Sequence, residues 1–399
     1  MFKNVNLDKT FQFLLIILAF LMPLTVFGGN LIIVIICFLW LFSGNYKSKF
    51  NQIINNKLMI ASILFFFIHV VGLIWTEDLS WGLHIVHKMW YFIGLFPILY
   101  TIVRKDYISH YISAFLLAIS ITEVCSYLVW FEIIEPFKNA TVENPTPFMS
   151  HVSYNPILAF AIYLVLHEVF FNKKLKKIEL FAYSFFSISM SFNMFITGGR
   201  AGQVMFFAAL IILSFQYFKD SQVKAIIISL VLSISISIIA YSSSDIFKGR
   251  IDTTISNVTE LDENKITSIG YRITFLINSF ELIKNNPILG VGTGDFPNEY
   301  EKINLANSPK LPATVQPHNM YLLILAQLGI FGLISLLWIF YTQFKIALKS
   351  NNHTVRNIGV AMPIFFLIIM WSDSYLLGHF TSNLFILFSS FIYSNRLNV

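Results

Sequence analysis

Apolar residues in this chain come in blocks of bilayer length, separated by short polar stretches that hold most of the charge. The blocks fall at about 11–27, 30–44, 58–76, 89–103, 108–132, 153–171, 180–197, 203–218, 225–241, 319–343, 357–374 and 380–394. An apolar run of about 20 residues crosses the hydrocarbon core as a helix. Backbone in lipid must satisfy its own hydrogen bonds, and blocks this long and continuous do so as helices rather than barrel strands. The pattern predicts an all-α polytopic transmembrane bundle of about twelve helices, one integral membrane domain over residues 1–399. The first block is long, lacks a small-residue cleavage site and leads straight into the second, so it reads as a span rather than a cleaved leader.

One polar stretch is long. Residues 242–317 separate the ninth block from the tenth. Within it, Tyr271–Asn286 (YRITFLINSFELIKNN) has apolar positions at helical spacing and stops before Pro287, which predicts an amphipathic helix on the membrane surface. GVGTGDF (290–296) follows as a glycine-rich turn. No internal repeat is evident.

Charge orients the bundle. One set of short loops carries Lys47, Lys49 and Lys57; Arg104 and Lys105; Lys173, Lys174, Lys176 and Lys177; Lys219 and Lys224; and Lys345, Lys349 and Arg356. The opposite set carries few cations, among them Lys88, Lys138 and Arg200. The first set alternates in register with twelve spans and shares a side with both termini, which the positive-inside rule makes the cytoplasm. The segment 242–317 then faces outward, away from the cytoplasm, since long loops translocate largely regardless of charge.

Composition agrees. The chain has 399 residues, 56% hydrophobic and 12% charged, with mean hydropathy +0.70, whereas a soluble domain carries about 25% charged residues. The net charge of +6 does not point to nucleic acid, because the cations sit between apolar blocks. Cys37 and Cys125 lie inside apolar blocks and read as packing residues rather than a disulfide or metal site.

Three features on the outer side carry candidate chemistry. TGGRAGQ (197–203) places two glycines before Arg200 and opens a helix, ending at Gln203. Free N–H groups at a helix start beside a guanidinium suit phosphate or pyrophosphate; the alternative is a tight turn with a snorkelling arginine. Arg272 stands at the start of the amphipathic helix and by itself is an ordinary surface arginine. In VQPHNMYL (315–322), Pro317 suits a first helical turn. That puts His318 at the start of the tenth span, where the helix dipole disfavours an imidazolium and the ring serves as a general base. The alternative is a helix-start histidine bonded locally.

Weaker candidates surround these. Lys88 either helps hold an anionic donor or anchors the interface beside Trp90. Glu77 and Asp78 form a carboxylate pair that reads as a metal site or, more simply, a solvated loop end. His84 and His87 lack a third ligand. Gly290, Gly292 and Gly294 lack the strand a nucleotide fingerprint requires. Asp373, near the outer end of the eleventh block, is a functional candidate as an ionisable residue at a span.

Taken in order, TGGRAGQ, then GYRITFLINSFELIKNNPILGVGTGDF, then PHNMYLLILAQLGIFGL resemble the O-antigen ligase and O-antigen polymerase superfamily of GT-C-type membrane glycosyltransferases. The resemblance is strongest from Thr197 to Leu333; the N-terminal blocks match in hydropathy alone. It implies that Arg200 and Arg272 engage the pyrophosphate of an undecaprenyl-linked glycan, and that His318 takes the proton of the acceptor hydroxyl. Lys88, Asn319 and Gln203 become candidate substrate-binding residues. It further implies metal-independent inverting transfer with no cofactor, in the bacterial inner membrane. A ligase would transfer to lipid A–core oligosaccharide in lipopolysaccharide biosynthesis; a polymerase would join lipid-linked repeat units. A lipid-linked oligosaccharide transporter is the alternative outside the enzymes, although transporters usually show two related halves.

Overall fold

The computed structural model describes residues 7–138, 140–259 and 266–394. Among these residues there is no β-strand. The helices are α1 (Leu7–Leu21), α2 (Val26–Phe42), α3 (Tyr46–Ile54), α4 (Lys57–Val71), α5 (Leu79–Lys88), α6 (Trp90–Ile93) and α7 (Leu95–Ile102). They continue as α8 (Ile108–Trp130), α9 (His151–Phe171), α10 (Lys177–Ile196), α11 (Arg200–Tyr217), α12 (Gln222–Ser243) and α13 (Asp245–Thr259). The last five are α14 (Ser268–Asn285), α15 (Phe296–Asn307), α16 (Met320–Leu348), α17 (His353–Ile369) and α18 (His379–Tyr393).

Among the described residues six helices are long and apolar enough to cross a membrane, or eight if each of two bent pairs is one span. The six are α4 with its following turn, α8 with its preceding turn, α9, α11, α12 and α16. The expectation of about twelve spans therefore stands only as a multi-pass helical bundle. Some of the remaining apolar blocks are short: α1 and α18 have 15 residues each, about 22 Å of helix against a core of about 30 Å. Others are broken. After Gly44 and Asn45, both at positive φ, α3 leaves α2 at 116°. The block expected at 89–103 begins earlier, as α5, and bends by 47° into α6–α7.

Helix α9 is the hub. Residues 154–165 are buried on every face, as expected for a helix hydrophobic all round. It packs against α8, α10, α11, α17 and α18. Gly202 makes the α9–α11 approach possible, because a Cβ there would lie 2.2 Å from the backbone carbon of Asn155. Phe160 meets Phe388 edge to face at 4.7 Å, and Phe388 meets Phe115 at 5.0 Å. Helix α12 lies at the periphery with Ile227, Leu230, Ile234 and Ile238 exposed.

Among its described residues the stretch 242–317 carries α13, α14 and α15 joined by turns; residues 260–265 lie outside the described residues. The helix expected over 271–286 is α14, and α13 and α15 flank it. The turn after α14 is stapled to a break in α16. Val291 and Gly292 donate backbone N–H groups to the carbonyls of Ala326 and Gln327 (2.9 and 3.0 Å), and Ile330 donates to Pro287 (3.0 Å). The break is at Gly329, φ 59°, where a Cβ would stand 2.1 Å from the Ile288 carbonyl oxygen. From the same turn, Asp295 accepts from the backbone N–H groups of Glu77 and Asp78 (2.8 and 2.7 Å), although it is only 3% exposed. Thr293 donates to the His69 carbonyl at 2.7 Å. The glycine-rich turn thus ties α4–α5 to α16 and fixes the base on which α14 sits.

Candidate active site

The starts of α9, α11 and α16 and the end of α17 converge at one end of the bundle. There, a cavity of about 330 Å³ is lined by His151, Gly199, Arg200, Arg250, Arg272 and Asp373, among others. A second cavity, of about 270 Å³, is lined by Lys88, Gln316 and Thr381 and shares Val152, Asp373 and Tyr375 with the first. The two form one polar cleft.

Arg200 reaches the cleft because α11 starts there. Its N-cap, Gly199, supplies no side-chain cap, so the first helical N–H groups remain available to an anion along with the guanidinium. Gly198 is held by its N–H to Asn144 Oδ1 at 3.1 Å, and Asn144 is itself 2.7 Å from His151 Nδ1. Arg272 comes from the first turns of α14, whose N-cap Thr267 accepts from Gly270 at 3.0 Å.

Arg250, on α13, completes a group of three guanidiniums and was not singled out from the sequence. Among the described residues no carboxylate pairs with Arg200, Arg250 or Arg272. Three unpaired cations around one small cleft repel one another, which a bound polyanion relieves.

His318 sits beside the cleft, but not in a first helical turn. Helix α16 starts at Met320 with Asn319 as its N-cap, Pro317 lies outside the helix, and His318 takes φ 51°. The proline signal is overridden by the asparagine, whose Oδ1 accepts from the N–H groups of Tyr321 and Leu322 (3.0 and 3.1 Å). The left-handed conformation turns the imidazole over Phe275 of α14, with ring centroids 6.0 Å apart. Nδ1 lies 3.4 Å from Asp373 Oδ1, within ion-pair reach but without hydrogen-bond geometry. Phe275 and Arg272 are three apart on α14, so one helix face serves both the imidazole and the guanidinium.

The remaining candidates take supporting places. Asn319 caps α16 and donates to the Trp371 carbonyl at 3.3 Å, so its amide holds the loop that bears Asp373. Gln203 donates to the carbonyls of Met194 and Thr197 (both 3.3 Å) and holds the TGGRAGQ turn. Lys88 ends α5 and lines the second cavity. Asp78 caps α5 through the Trp81 N–H at 2.9 Å, and with Glu77 it offers its own backbone to Asp295, so this pair is a helix start. His84 stacks near Trp81 at 5.1 Å. Among the described residues no three His, Cys, Asp or Glu side chains gather as a metal-binding group.

Residues 185–337 match the family model of the O-antigen ligase domain. That stretch contains Arg200, Arg250, Arg272 and His318, three from the expected motifs and one from α13. This match supports assignment to the O-antigen ligase and polymerase superfamily over that stretch. No curated protein matches it. Lys88 and Asp373, which also line the cleft, fall outside the stretch matched to the O-antigen ligase family.

Proposed function

We propose that the protein is a glycosyltransferase that moves a glycan from undecaprenyl diphosphate to lipid A–core oligosaccharide, acting as an O-antigen ligase at the periplasmic face of the bacterial inner membrane. The observation that carries this reading is the gathering of Arg200, Arg250 and Arg272, with no carboxylate partner among the described residues, on one cleft with Asp373, which faces His318. The segment 242–317 would be the periplasmic part of a single membrane domain, supplying Arg250, Arg272 and the floor beneath His318.

In this reading the acceptor hydroxyl oxygen attacks the anomeric carbon from the face opposite the diphosphate. The glycosidic C–O bond breaks, and its electron pair leaves on undecaprenyl diphosphate. The guanidiniums stabilise the charge that grows there; removing one such donor typically costs about 10²–10³-fold in rate. The hydroxyl proton passes to His318. With Nδ1 turned toward Asp373, a proton on that nitrogen leaves the Nε2 lone pair as the base. Asp373 acts as a positioning residue, fixing the tautomer and stabilising the imidazolium that forms. Lys88 lines the side of the cleft away from the arginines and suits an acceptor or a sugar-bearing end. No step uses a metal.

The test is reconstitution of purified protein with an undecaprenyl-diphosphate-linked glycan and two acceptors. Product on core glycolipid supports the ligase. Product lengthened on the polyprenyl carrier identifies a polymerase. Donor movement across sealed vesicles without transfer would make the protein a transporter and overturn the reading.

A further inference from the structure

Arg200 and Arg250 line a second, different space. An apolar cavity of about 580 Å³ is bounded by Gln203, Val204 and Phe207 of α11, Ile238 and Tyr241 of α12, and Phe247 and Ile251 of α13. It shares Arg200, Val204 and Arg250 with the polar cleft. On α13 the residues lining this space, Phe247, Arg250, Ile251 and Thr254, recur at helical spacing on one face. Phe247 anchors that face by meeting Phe195 edge to face at 5.0 Å, and Ser244 fixes the start of α13 by donating to the Phe195 carbonyl at 2.7 Å. The α12–α13 corner is therefore held in place, with a guanidinium at the border between a polar and an apolar space.

We propose that this groove holds the hydrocarbon chain of an isoprenoid diphosphate, and that Arg250 clasps the phosphate nearest that chain. The proposal rests on the donor chemistry above and adds a direction to it. Arg200 and Arg250 border both spaces, Arg272 borders the polar cleft alone, and Asp373 joins that cleft to the Lys88 side. The ligand then lies in a fixed order: chain between α11, α12 and α13, lipid-side phosphate at Arg250, glycan-side phosphate at Arg272, sugar toward Asp373 and His318. Another apolar groove, of about 570 Å³, lies among α9, α10, α11 and α12 and includes Ile188, but no guanidinium borders it. A chain lying there would leave its diphosphate away from the three cations.

The probes are farnesyl diphosphate, which has both head and chain, and inorganic pyrophosphate, which has the head alone. Both are titrated into the purified full-length protein in detergent. Arg250→Ala is expected to weaken both by about tenfold or more, since a charge-assisted pair is lost. Ile238→Trp, which fills the groove, is expected to weaken farnesyl diphosphate by about tenfold and leave pyrophosphate within about twofold. Ser237→Phe, on the α12 wall, repeats the test should Ile238→Trp fail to yield folded protein. Ile188→Trp, in the other groove, is expected to change neither. Phosphatidylglycerol in excess is expected not to displace farnesyl diphosphate. The proposal is overturned if wild-type protein binds neither probe, if Arg250→Ala changes nothing, if the groove-filling variants affect both probes equally or neither, or if phosphatidylglycerol competes. Glycan transfer without this binding pattern would remove the groove and keep the transferase. The binding pattern without glycan transfer would do the reverse.

Discussion

His318 Nδ1 stands 3.4 Å from Asp373 Oδ1, across the gap between the start of α16 and the end of α17. The two loops are held together on either side of this pair. Met320 donates its N–H to the Met370 carbonyl at 2.9 Å, and Tyr321 donates its hydroxyl to the Leu367 carbonyl at 2.6 Å. Asp373 Oδ1 also accepts from the Ser374 N–H at 2.7 Å, which fixes the carboxylate against the backbone. Catalytic hydrogen bonds are often long before a reacting group binds.

Asp373→Asn tests that pair. The amide keeps the volume and loses the charge, so the imidazolium formed during transfer loses its partner and the tautomer is no longer set. Turnover is expected to fall by about 10²-fold or more, with KM for the donor nearly unchanged. Initial rates on purified protein over a range of donor concentrations separate these parameters. An equal loss through KM alone would place Asp373 in binding instead.

Arg200→Lys tests the guanidinium geometry at the start of α11. The charge survives, but the planar fork that pairs with two phosphate oxygens does not. Donor affinity is expected to fall by about tenfold, roughly the loss of one charge-assisted bond. Titration with a diphosphate-bearing donor analogue reads this, and wild-type affinity in the lysine variant would mean that charge alone suffices.

Asp295→Ala tests the staple between the α4–α5 corner and the glycine-rich turn. It leaves the N–H groups of Glu77 and Asp78 without their buried, charged acceptor. Each loss is expected to cost about 1–3 kcal/mol. Thermal unfolding in detergent should show a clearly lowered Tm, whereas an unchanged Tm would mean that the turn is held by its other contacts.

Gly329→Ala tests the break in α16. A side chain there meets both a positive-φ backbone that is essentially confined to glycine, which costs about 1–3 kcal/mol, and the Ile288 carbonyl oxygen 2.1 Å from the new Cβ. Loss of stability is expected, with α14 displaced from its seat and transfer reduced alongside. A variant as stable and active as wild type would show that the staple is not needed.

Arg200, Arg272 and His318 were legible in the sequence because each sits in a short, glycine- or proline-marked motif. Their convergence was not, since it depends on contacts between helices far apart in the chain. Arg250 escaped because DIFKGRIDTT reads as ordinary polar loop; the signal that could have found it is the helical spacing of Phe247, Arg250, Ile251 and Thr254. Pro317 misplaced the start of α16 because proline is compatible with a first turn, but Asn319 supplies the cap that sets it. Asn319 and Gln203, expected as substrate ligands, also hold loops, which depends on the carbonyls within their reach. The helical class followed from block length. The number of spans did not, because hydropathy does not register the 116° corner at Asn45 or the short reach of α1 and α18.

The most direct measurement is single-turnover glycan transfer by His318→Ala protein, paired with donor binding on the same preparation. The account predicts transfer slowed by about 10²–10⁴-fold, the usual worth of a general base, with donor affinity within about twofold of wild type because the guanidiniums remain. Transfer at the wild-type rate by folded, donor-binding His318→Ala protein would contradict it.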